Sequence, residues 1–305
     1  MSERKRPPAV VVGVDGTSGA RAALAWAVGA AARRRVQLRI VHGLGPEAVV
    51  GAAAVGRGTA GRGSAGEARA SAHELLTESA EYARRARPDV EVITVLAVAD
   101  APAVLLEEAR RGDVIAVGSR GLGSVRAIML GSIGVRTSAH APCPVVVVPD
   151  AEPRGYRGRV VVGVDGSPSS RRALRFALEE ALATDASVVL VHALGEDAPA
   201  ADAATGDEAP DRRPDEVVDG VLADVVDERT GHLDISAVRV RADPVRALLD
   251  AGADADMVVV GSRGRGGVRG LVLGSVSQGV LHDAGIPVAV LPPGSDGADG
   301  RPPNR

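Results

Sequence analysis

The chain has 305 residues and a formal net charge of −3, which allows two ordinary domains and gives no reason to expect binding to nucleic acid or a membrane. Its aromatic residues are one Trp, two Tyr and one Phe, so stacking of the bases of a single-stranded nucleic acid is poorly supported. Lys5 is the only lysine and Cys143 the only cysteine, which excludes a P-loop lysine and a cysteine metal cluster. No apolar run is long enough to span a membrane and the start lacks a signal-peptide core, so we expect a cytoplasmic protein.

The first half alternates apolar strand segments with helical segments. Several strands are apolar on both faces, which predicts a parallel sheet covered by helices on both sides. In chain order we predict a strand over 9–14, a helix over 18–34, a strand over 36–42, a Gly-rich stretch over 43–66, a helix over 67–87, a strand over 90–98, a helix capped by Asp100, a strand over 113–117, a loop over 118–130, a helix over 132–140 and a strand over 144–148.

The second half repeats this order. VVVGVDGT at 10–17 recurs as VVVGVDGS at 160–167, and 118–132 recurs as 261–275, so the chain holds two copies of one folding unit. The strands of the second copy are predicted at 160–164, 187–192, 234–241, 256–260 and 287–291. We expect a disordered tail at 1–8, a domain at 9–150, a linker at 151–158, a domain at 159–292 and a disordered tail at 293–305, with a mobile acidic stretch at 195–215.

A Gly-rich loop follows the fourth strand in both copies. One glycine ends the strand, a second follows after two residues, and a Gly-Ser pair opens the next helix after nine more. Glycines let backbone N–H groups converge on phosphate oxygens, and a helix start favours negative charge. Arg120 and Arg263 lie inside the loops and could add positive charge. The alternative is a Gly-rich solvent loop, which the identical spacing of the second copy disfavours.

Two other residue pairs recur. Asp15 and Asp165 each end the first strand, and a reversal of strand order there would place this carboxylate and the Gly-rich loop on one crevice. It would accept hydrogen bonds from ribose hydroxyls or an adenine amino group; the alternative is an Asx-turn or helix cap, which does not exclude contact. His42 and His192 also recur, but no second His or Cys recurs with them, so packing is favoured over zinc binding or catalysis.

Two further patterns concern the edges of the units. Overlapping GxGxxG runs at 56–61 and 61–66 follow the second strand instead of the first, which favours a linker over a dinucleotide fingerprint. The fifth strands, VVVV at 145–148 and VAVL at 288–291, would be exposed apolar edges. Pairing them with each other removes this hazard, so we expect an intrachain pseudo-dimer through strand five.

With both loops intact, the chain resembles a tandem universal stress protein of the ATP-binding kind over both copies, apart from the tails and middle inserts. The resemblance implies an open five-stranded parallel sheet of order 3-2-1-4-5 in each half, with ATP at the carboxyl ends of strands one and four. It also implies a cytoplasmic protein that dimerises through strand five. The implied nucleotide contacts are Asp15, Val41, Gly118, Ser119, Gly121, Gly131 and Ser132 in the first half, and Asp165, Val191, Gly261, Ser262, Gly264, Gly274 and Ser275 in the second.

The function implied is that of a stress-response sensor or regulator with one ATP site per half; whether Mg²⁺ accompanies ATP stays open. One alternative is a slow ATPase or phosphotransferase, which would need Mg²⁺ and a group that orients the attacking water, and no recurrent general base is visible. The other is a nucleotide-independent interaction scaffold, which the two intact loops disfavour. The protein partner, the choice among ATP, ADP and AMP, and the pairing of two chains into a homodimer also stay open.

Overall fold

The computed structural model describes residues 6–45, 65–119, 132–151, 155–195, 214–264 and 273–292. Most of the Gly-rich stretch with its GxGxxG runs, most of the acidic stretch and most of both predicted tails lie outside these ranges. The strands are β1 Ala9–Gly13, β2 Gln37–Gly43, β3 Val92–Ala97, β4 Val114–Gly118, β5 Val145–Val148, β6 Arg159–Gly163, β7 Ser187–Leu194, β8 Ile235–Arg241, β9 Met257–Gly261 and β10 Val288–Leu291. The helices are α1 Ser18–Arg34, α2 Ala65–Ala86, α3 Ala101–Glu108, α4 Ser132–His140, α5 Pro168–Thr184, α6 Pro214–Val225, α7 Pro244–Gly252 and α8 Ser275–Asp283.

The ten strands of the described residues form one sheet, in the order β3-β2-β1-β4-β5-β10-β9-β6-β7-β8. Neighbours within each half are parallel, whereas β5 and β10 pair antiparallel. Val146 faces Ala289, its counterpart in the repeat, so a pseudo-twofold axis passes between these two residues. The predicted α/β class is confirmed, and the two fifth strands pair with each other.

A tight turn joins β1 to α1 and β6 to α5. Gly16 and Gly166 have φ angles of 81° and 79°, which favour glycine because a Cβ atom is strained in this region. The next residue is the helix N-cap: the Thr17 hydroxyl accepts a hydrogen bond from the Ala20 amide, and Ser167 does the same for its own helix. The repeated DGT and DGS motifs therefore specify an abrupt change from strand to helix at the carboxyl edge of the sheet.

Apolar side chains are buried on both faces of the sheet. One cluster packs β-strand side chains such as Val10 and Val162 against α1, α2, α5 and α6. The other packs the opposite side chains, such as Val11 and Val161, against α3, α4, α7 and α8. Each cluster includes residues of both halves, so the core continues across the β5–β10 pair. Among the described residues, no helix combines the length and the apolar character needed to cross a membrane.

One buried ion pair joins the two halves beside the sheet. Arg34, the last residue of α1, contacts the carboxylate of Glu180 on α5, and its guanidinium lies 5.5 Å from the centre of the Phe176 ring. Glu180 is only 3% exposed. Burial, more than the charge of neighbouring Arg33, lowers the pKa of Arg34 to about 10. This pair fixes the position of α1 against α5 by an interaction that neither half can make alone.

Candidate functional site

A cavity of about 450 Å³ opens at the carboxyl edge of the second half, between β6, β7, β9 and the starts of α7 and α8. This volume is within the range of roughly 300–1,000 Å³ that is usual for small-molecule sites. Ligands of open parallel sheets bind at this edge, where the strand order reverses. The lining residues that carry the argument below are Asp165, Val191, Gly261, Arg263, Gly264 and Gly274.

The aspartates form Asx-turns. The Oδ1 atom of Asp165 accepts a hydrogen bond from the Ser167 amide at 2.9 Å. In the first half, Asp15 Oδ1 accepts from both the amide and the hydroxyl of Thr17, at 3.0 and 2.6 Å. The turn therefore fixes the direction of each carboxylate, while Thr17 and Ser167 cap the helices. Because Asp165 also lines the cavity, turn formation and exposure to a ligand coexist at this residue.

The recurrent histidines, on the second strand of each half, contact the backbone just before the same turn. His42 Nδ1 lies 2.7 Å from the Val14 carbonyl oxygen, and His192 Nδ1 lies 2.7 Å from that of Val164. An N–H donated from the ring to this carbonyl ties the end of the second strand to the end of the first. The described residues contain no group of three metal-ligating side chains. Through this contact the histidines position the turn at the end of the first strand of each half.

The Gly-rich loop of the second half begins against the aspartate. A Cβ atom added to Gly264 would lie 2.6 Å from Asp165 Oδ2, so the loop backbone and this carboxylate are in direct contact. Arg263, whose side chain is exposed, lines the cavity beside them. Where the described chain resumes, the Gly274 amide donates to the Ser262 carbonyl at 2.8 Å. Both ends of the loop are thereby held together at the mouth of the cavity.

The N-terminus of α8 faces the cavity. Gly274 is the N-cap, and residues 274–277 all line the cavity wall. The first amides of a helix lack intrahelical acceptors, and the helix dipole places partial positive charge at this end. The first turn contains no acidic residue that would oppose an anion. Together with the Arg263 side chain, these amides make one end of the cavity suited to phosphate.

The other end of the cavity is apolar. Val191 and Ala193 of β7 and Pro244 and Leu248 of α7 line the cavity with apolar side chains. Leu248 is nearly fully buried and packs against Gly163, where an added Cβ atom would lie 3.3 Å from it. An apolar group can bind against these side chains, in the same cavity as the Asp165 carboxylate and the N-terminus of α8.

A sequence profile of the universal stress protein family matches residues 8–149 and again residues 157–292. The chain belongs to the universal stress protein family. The universal stress protein Rv2005c of Mycobacterium tuberculosis is 31% identical over 300 residues, which cover 95% of this chain and 99% of that protein. Rv2623 of the same species is 30% identical over 305 residues, with 95% and 98% covered.

A solved structure shares the fold over nearly the whole chain. A universal stress protein from Archaeoglobus fulgidus matches 94% of this chain and 97% of its own with a TM-score of 0.67, at 22% identity. A shorter universal stress protein from the same species, solved in complex with dAMP, covers 44% of this chain with a TM-score of 0.32.

Most of the expected contacts in this universal stress protein lie at the carboxyl edge of the sheet. In the second half, six of the seven line the cavity: Asp165, Val191, Gly261, Gly264, Gly274 and Ser275. Ser262 does not; it is fully buried, and its Oγ atom has no hydrogen-bond partner. In the first half, Asp15 follows β1, Val41 lies two residues before the end of β2, Gly118 and Ser119 lie at the end of β4, and Ser132 begins α4. Gly121 and Gly131 are outside the described residues.

The resemblance implies that backbone groups of Val41 and Val191 contact the nucleotide, but their carbonyls already accept hydrogen bonds within the protein. The Val41 carbonyl already accepts a hydrogen bond from the Val14 amide at 3.0 Å, and Val191 accepts from Val164 at 2.9 Å. A carbonyl has a second lone pair, so a ligand contact remains geometrically open. The Val191 side chain, however, already contributes to the apolar wall.

Sequence reasoning missed a recurrent arginine. Arg21 donates to the Gly16 carbonyl at 2.7 Å, and Arg171 donates to the Gly166 carbonyl in the same way. The two arginines are 150 positions apart, the same offset as Asp15 and Asp165, so the repeat itself held the signal. Through this hydrogen bond each arginine stabilises the turn with the positive-φ glycine, which fixes the orientation of the aspartate. The Pro244–Leu248 wall was also missed, because no motif marks it.

Proposed function

We propose that this universal stress protein binds an adenine nucleotide, ATP in the first instance, at the carboxyl edge of each half and acts as a nucleotide-dependent sensor or regulator. The observation that carries the proposal is the second-half cavity, which combines apolar side chains, the Asp165 carboxylate and the N-terminus of α8. These three surfaces match the base, the ribose and the phosphate chain of a nucleotide.

Each part of the nucleotide has a matching chemistry. The base would lie between Val191 and Leu248, where burial of apolar surface favours a flat ring. Asp165 would accept hydrogen bonds from ribose hydroxyls, since an ionised carboxylate only accepts. The phosphates would lie against the α8 amides and Arg263. The phosphate charge that these groups do not neutralise would be available to bind Mg²⁺.

Family membership supports a second site in the first half. The aspartate turn, the histidine contact and the arginine clamp recur there with the same partners. We therefore treat residues 9–150 and 159–292 as two domains joined by 151–158, each with one site, in a cytoplasmic protein. Size-exclusion chromatography with light scattering tests whether two chains associate further.

The test is the nucleotide carried by freshly purified protein. Protein is denatured, and the supernatant is separated by HPLC; nucleotide-free protein is then titrated with ATP, ADP, AMP and GTP by calorimetry. Bound ATP, or ATP binding stronger than GTP binding, supports the proposal. ADP recovered after incubation with ATP favours the alternative function of a slow ATPase. Failure of all adenine nucleotides to bind removes the proposal and favours the interaction scaffold.

A further inference from the structure

The amino ends of the strands carry opposite charge in the two halves of the chain. In each half, the chain enters its first four strands through segments that meet at this end of the sheet. We call the first-half segments the basic surface and their second-half counterparts the acidic surface. The basic surface comprises 6–9, 33–36, 84–91 and 109–113, and the offsets of the repeat place the acidic surface at 156–159, 183–186, 227–234 and 252–256.

The difference in charge between these surfaces is large for a chain whose net charge is only −3. Nine arginines and three carboxylates give the basic surface a net charge of +6, whereas three arginines and six carboxylates give the acidic surface a net charge of −3. At four equivalent positions an arginine faces solvent in one half and a carboxylate does so in the other. These pairs are Arg35 and Asp185, Arg84 and Asp227, Arg85 and Glu228, and Arg111 and Asp254.

The two surfaces share one backbone shape. The residues that follow α1 and α5 are both left-handed, with φ angles of 53° and 55°. In the turn before the third strand, the Val90 amide donates to the Arg87 carbonyl at 3.2 Å, and the Leu233 amide donates to the Thr230 carbonyl at 3.1 Å. The reversed charges therefore occupy matching places on two surfaces that the pseudo-twofold axis relates.

Several of the reversed charges are available to a partner. Arg35, Asp185 and Glu228 form no ion pair with the part of the chain that the structure describes. A hydrogen bond from the Thr230 hydroxyl lowers the pKa of Asp227, so this carboxylate stays ionised near neutral pH. The pairs already formed within the chain by arginines of the basic surface include Arg6–Asp113, Arg34–Glu180 and Arg85–Glu81.

The basic surface also contains a hollow of about 320 Å³ beside Arg35. On the acidic surface, the ring of Tyr156 is 61% exposed, and its hydroxyl donates to the carbonyl of Thr184, next to Asp185. When Arg35 of one chain meets Asp185 of another, this ring is brought towards the hollow. An interface combines apolar contact with charge, and these two features supply the apolar part. The apolar residues of the hollow are Pro7, Pro8, Ala31, Ala32, Val36 and Val90.

From the reversed charges and the hollow we infer that the basic surface of one chain docks on the acidic surface of a second copy of this chain. Two basic or two acidic surfaces repel each other, so the contact joins unlike surfaces. It is separate from the β5–β10 pairing, which lies within one chain. Exposed charges attract over the Debye length, which falls from about 10 Å at 0.1 M salt to about 3 Å at 1 M, so the association is strongest at low ionic strength.

The first experiment measures the mass of the full chain in solution. Sedimentation velocity is run over a range of protein concentrations at about 0.05 M and about 0.5 M NaCl, between which the Debye length shortens roughly threefold. We expect association at the lower salt concentration and a Kd at least about tenfold larger at the higher one. A chain that stays monomeric at low salt, or an association that salt does not weaken, overturns the inference.

The second experiment exchanges charges between the surfaces. One double variant is Arg35→Asp with Arg85→Glu, and the other is Asp185→Arg with Glu228→Arg. Each new residue is the one that the other half carries at the equivalent position, so the backbone accommodates it. Each variant alone should be monomeric, because both of its surfaces then carry the same charge, and an equimolar mixture of the two should associate. A mixture that stays monomeric, or either variant that associates alone, overturns the inference.

Matched controls separate the surfaces from net charge and from folding. Arg69→Glu with Arg175→Glu changes the net charge as much as the first double variant, at exposed positions outside both surfaces, and should associate like the unchanged chain. Tyr156→Ala should weaken the association by a similar factor at both salt concentrations, because apolar contact is not screened. Loss of association in the arginine control contradicts the inference. Circular dichroism melts verify folding, and Asp185→Arg alone serves if a double variant is unstable.

Discussion

The carboxylate of Asp165 is in contact with the backbone of Gly264, with 2.6 Å between Oδ2 and the position of an added Cβ atom. The two residues belong to different strand ends, yet the carboxylate fills the space beside the glycine. Any side chain at residue 264 would therefore push the aspartate out of its orientation. Asp165 and the Gly-rich loop act as one unit at the mouth of the cavity.

This contact leads to a first prediction. Gly264→Ala should displace the Asp165 carboxylate and weaken ATP binding at the second site about tenfold, the value of one good charge-assisted hydrogen bond. Thermal stability should change little because residue 264 is exposed. Calorimetric titration measures the change, with Gly195→Ala, which meets nothing within 4 Å, as the control. Unchanged affinity in Gly264→Ala would show that the aspartate orientation does not matter.

The glycines that end β4 and β9 should differ in how much stability is lost when each is replaced by alanine. A Cβ atom on Gly118 would lie 2.5 Å from the backbone carbon of Gly19, whereas one on Gly261 would lie 2.7 Å from the Ser169 hydroxyl. The Ser169 hydroxyl can rotate away, and the Ser169 Cβ and backbone carbon, at 2.9 and 3.1 Å, are less close to Gly261 than the Gly19 backbone is to Gly118. Gly118→Ala should therefore lower the free energy of unfolding by about 1–3 kcal/mol, and Gly261→Ala by less. Urea unfolding of both variants decides this, and equal losses would contradict it.

The buried hydroxyls of α4 offer a stabilising change. Thr137→Val keeps the shape of the side chain and removes a buried oxygen that has no partner, so the free energy of unfolding should rise by about 1 kcal/mol. Differential scanning calorimetry would show a higher Tm. The control is Thr77→Val on α2, where the hydroxyl is exposed and the change should stay within about 0.5 kcal/mol. A lower Tm for Thr137→Val would reveal an unseen partner for this hydroxyl.

Removing one residue of the ion pair between the halves should lower the free energy of unfolding more than replacing both residues. Glu180→Leu leaves the Arg34 guanidinium buried without its partner and should lower the free energy of unfolding by about 3–5 kcal/mol. Arg34→Met combined with Glu180→Leu should lose much less, because no charge remains buried. Glu81→Gln, which breaks the exposed pair with Arg85, should change stability by under about 0.5 kcal/mol. A double variant no better than Glu180→Leu would refute this account.

The single cysteine should be inert in the folded chain. Burial, more than the nearby Asp113 charge, raises the pKa of the Cys143 thiol to about 12 from 9.0. We expect iodoacetamide at pH 8 to label the urea-unfolded chain and to leave the native protein unlabelled by mass spectrometry. Because the unfolded thiol ionises first, its contribution to stability is lost as the pH rises from 9 towards 12, and Cys143→Ala should lack this slope. Rapid labelling of the native protein would contradict the burial.

Local chemistry could be predicted from the sequence, whereas cross-element contacts could not. Asp15 at the end of an apolar run specified both strand end and turn, and the VVVV segment indicated an edge that needed a partner. Two quantities escaped prediction because they depend on distances between elements remote in sequence. The crowding of Gly43 against the backbone near Ala101 and the burial of Ser262 both follow from packing between such elements.

The antiparallel seam between β5 and β10 has a consequence for recognition. Because the strands of the two halves run in opposite directions, their carboxyl ends emerge at opposite edges of one sheet. The carboxyl edge of the first half and that of the second half, where the cavity opens, therefore face away from each other. If each edge carries a site, as proposed, a compact partner bound at one edge leaves the other edge uncovered.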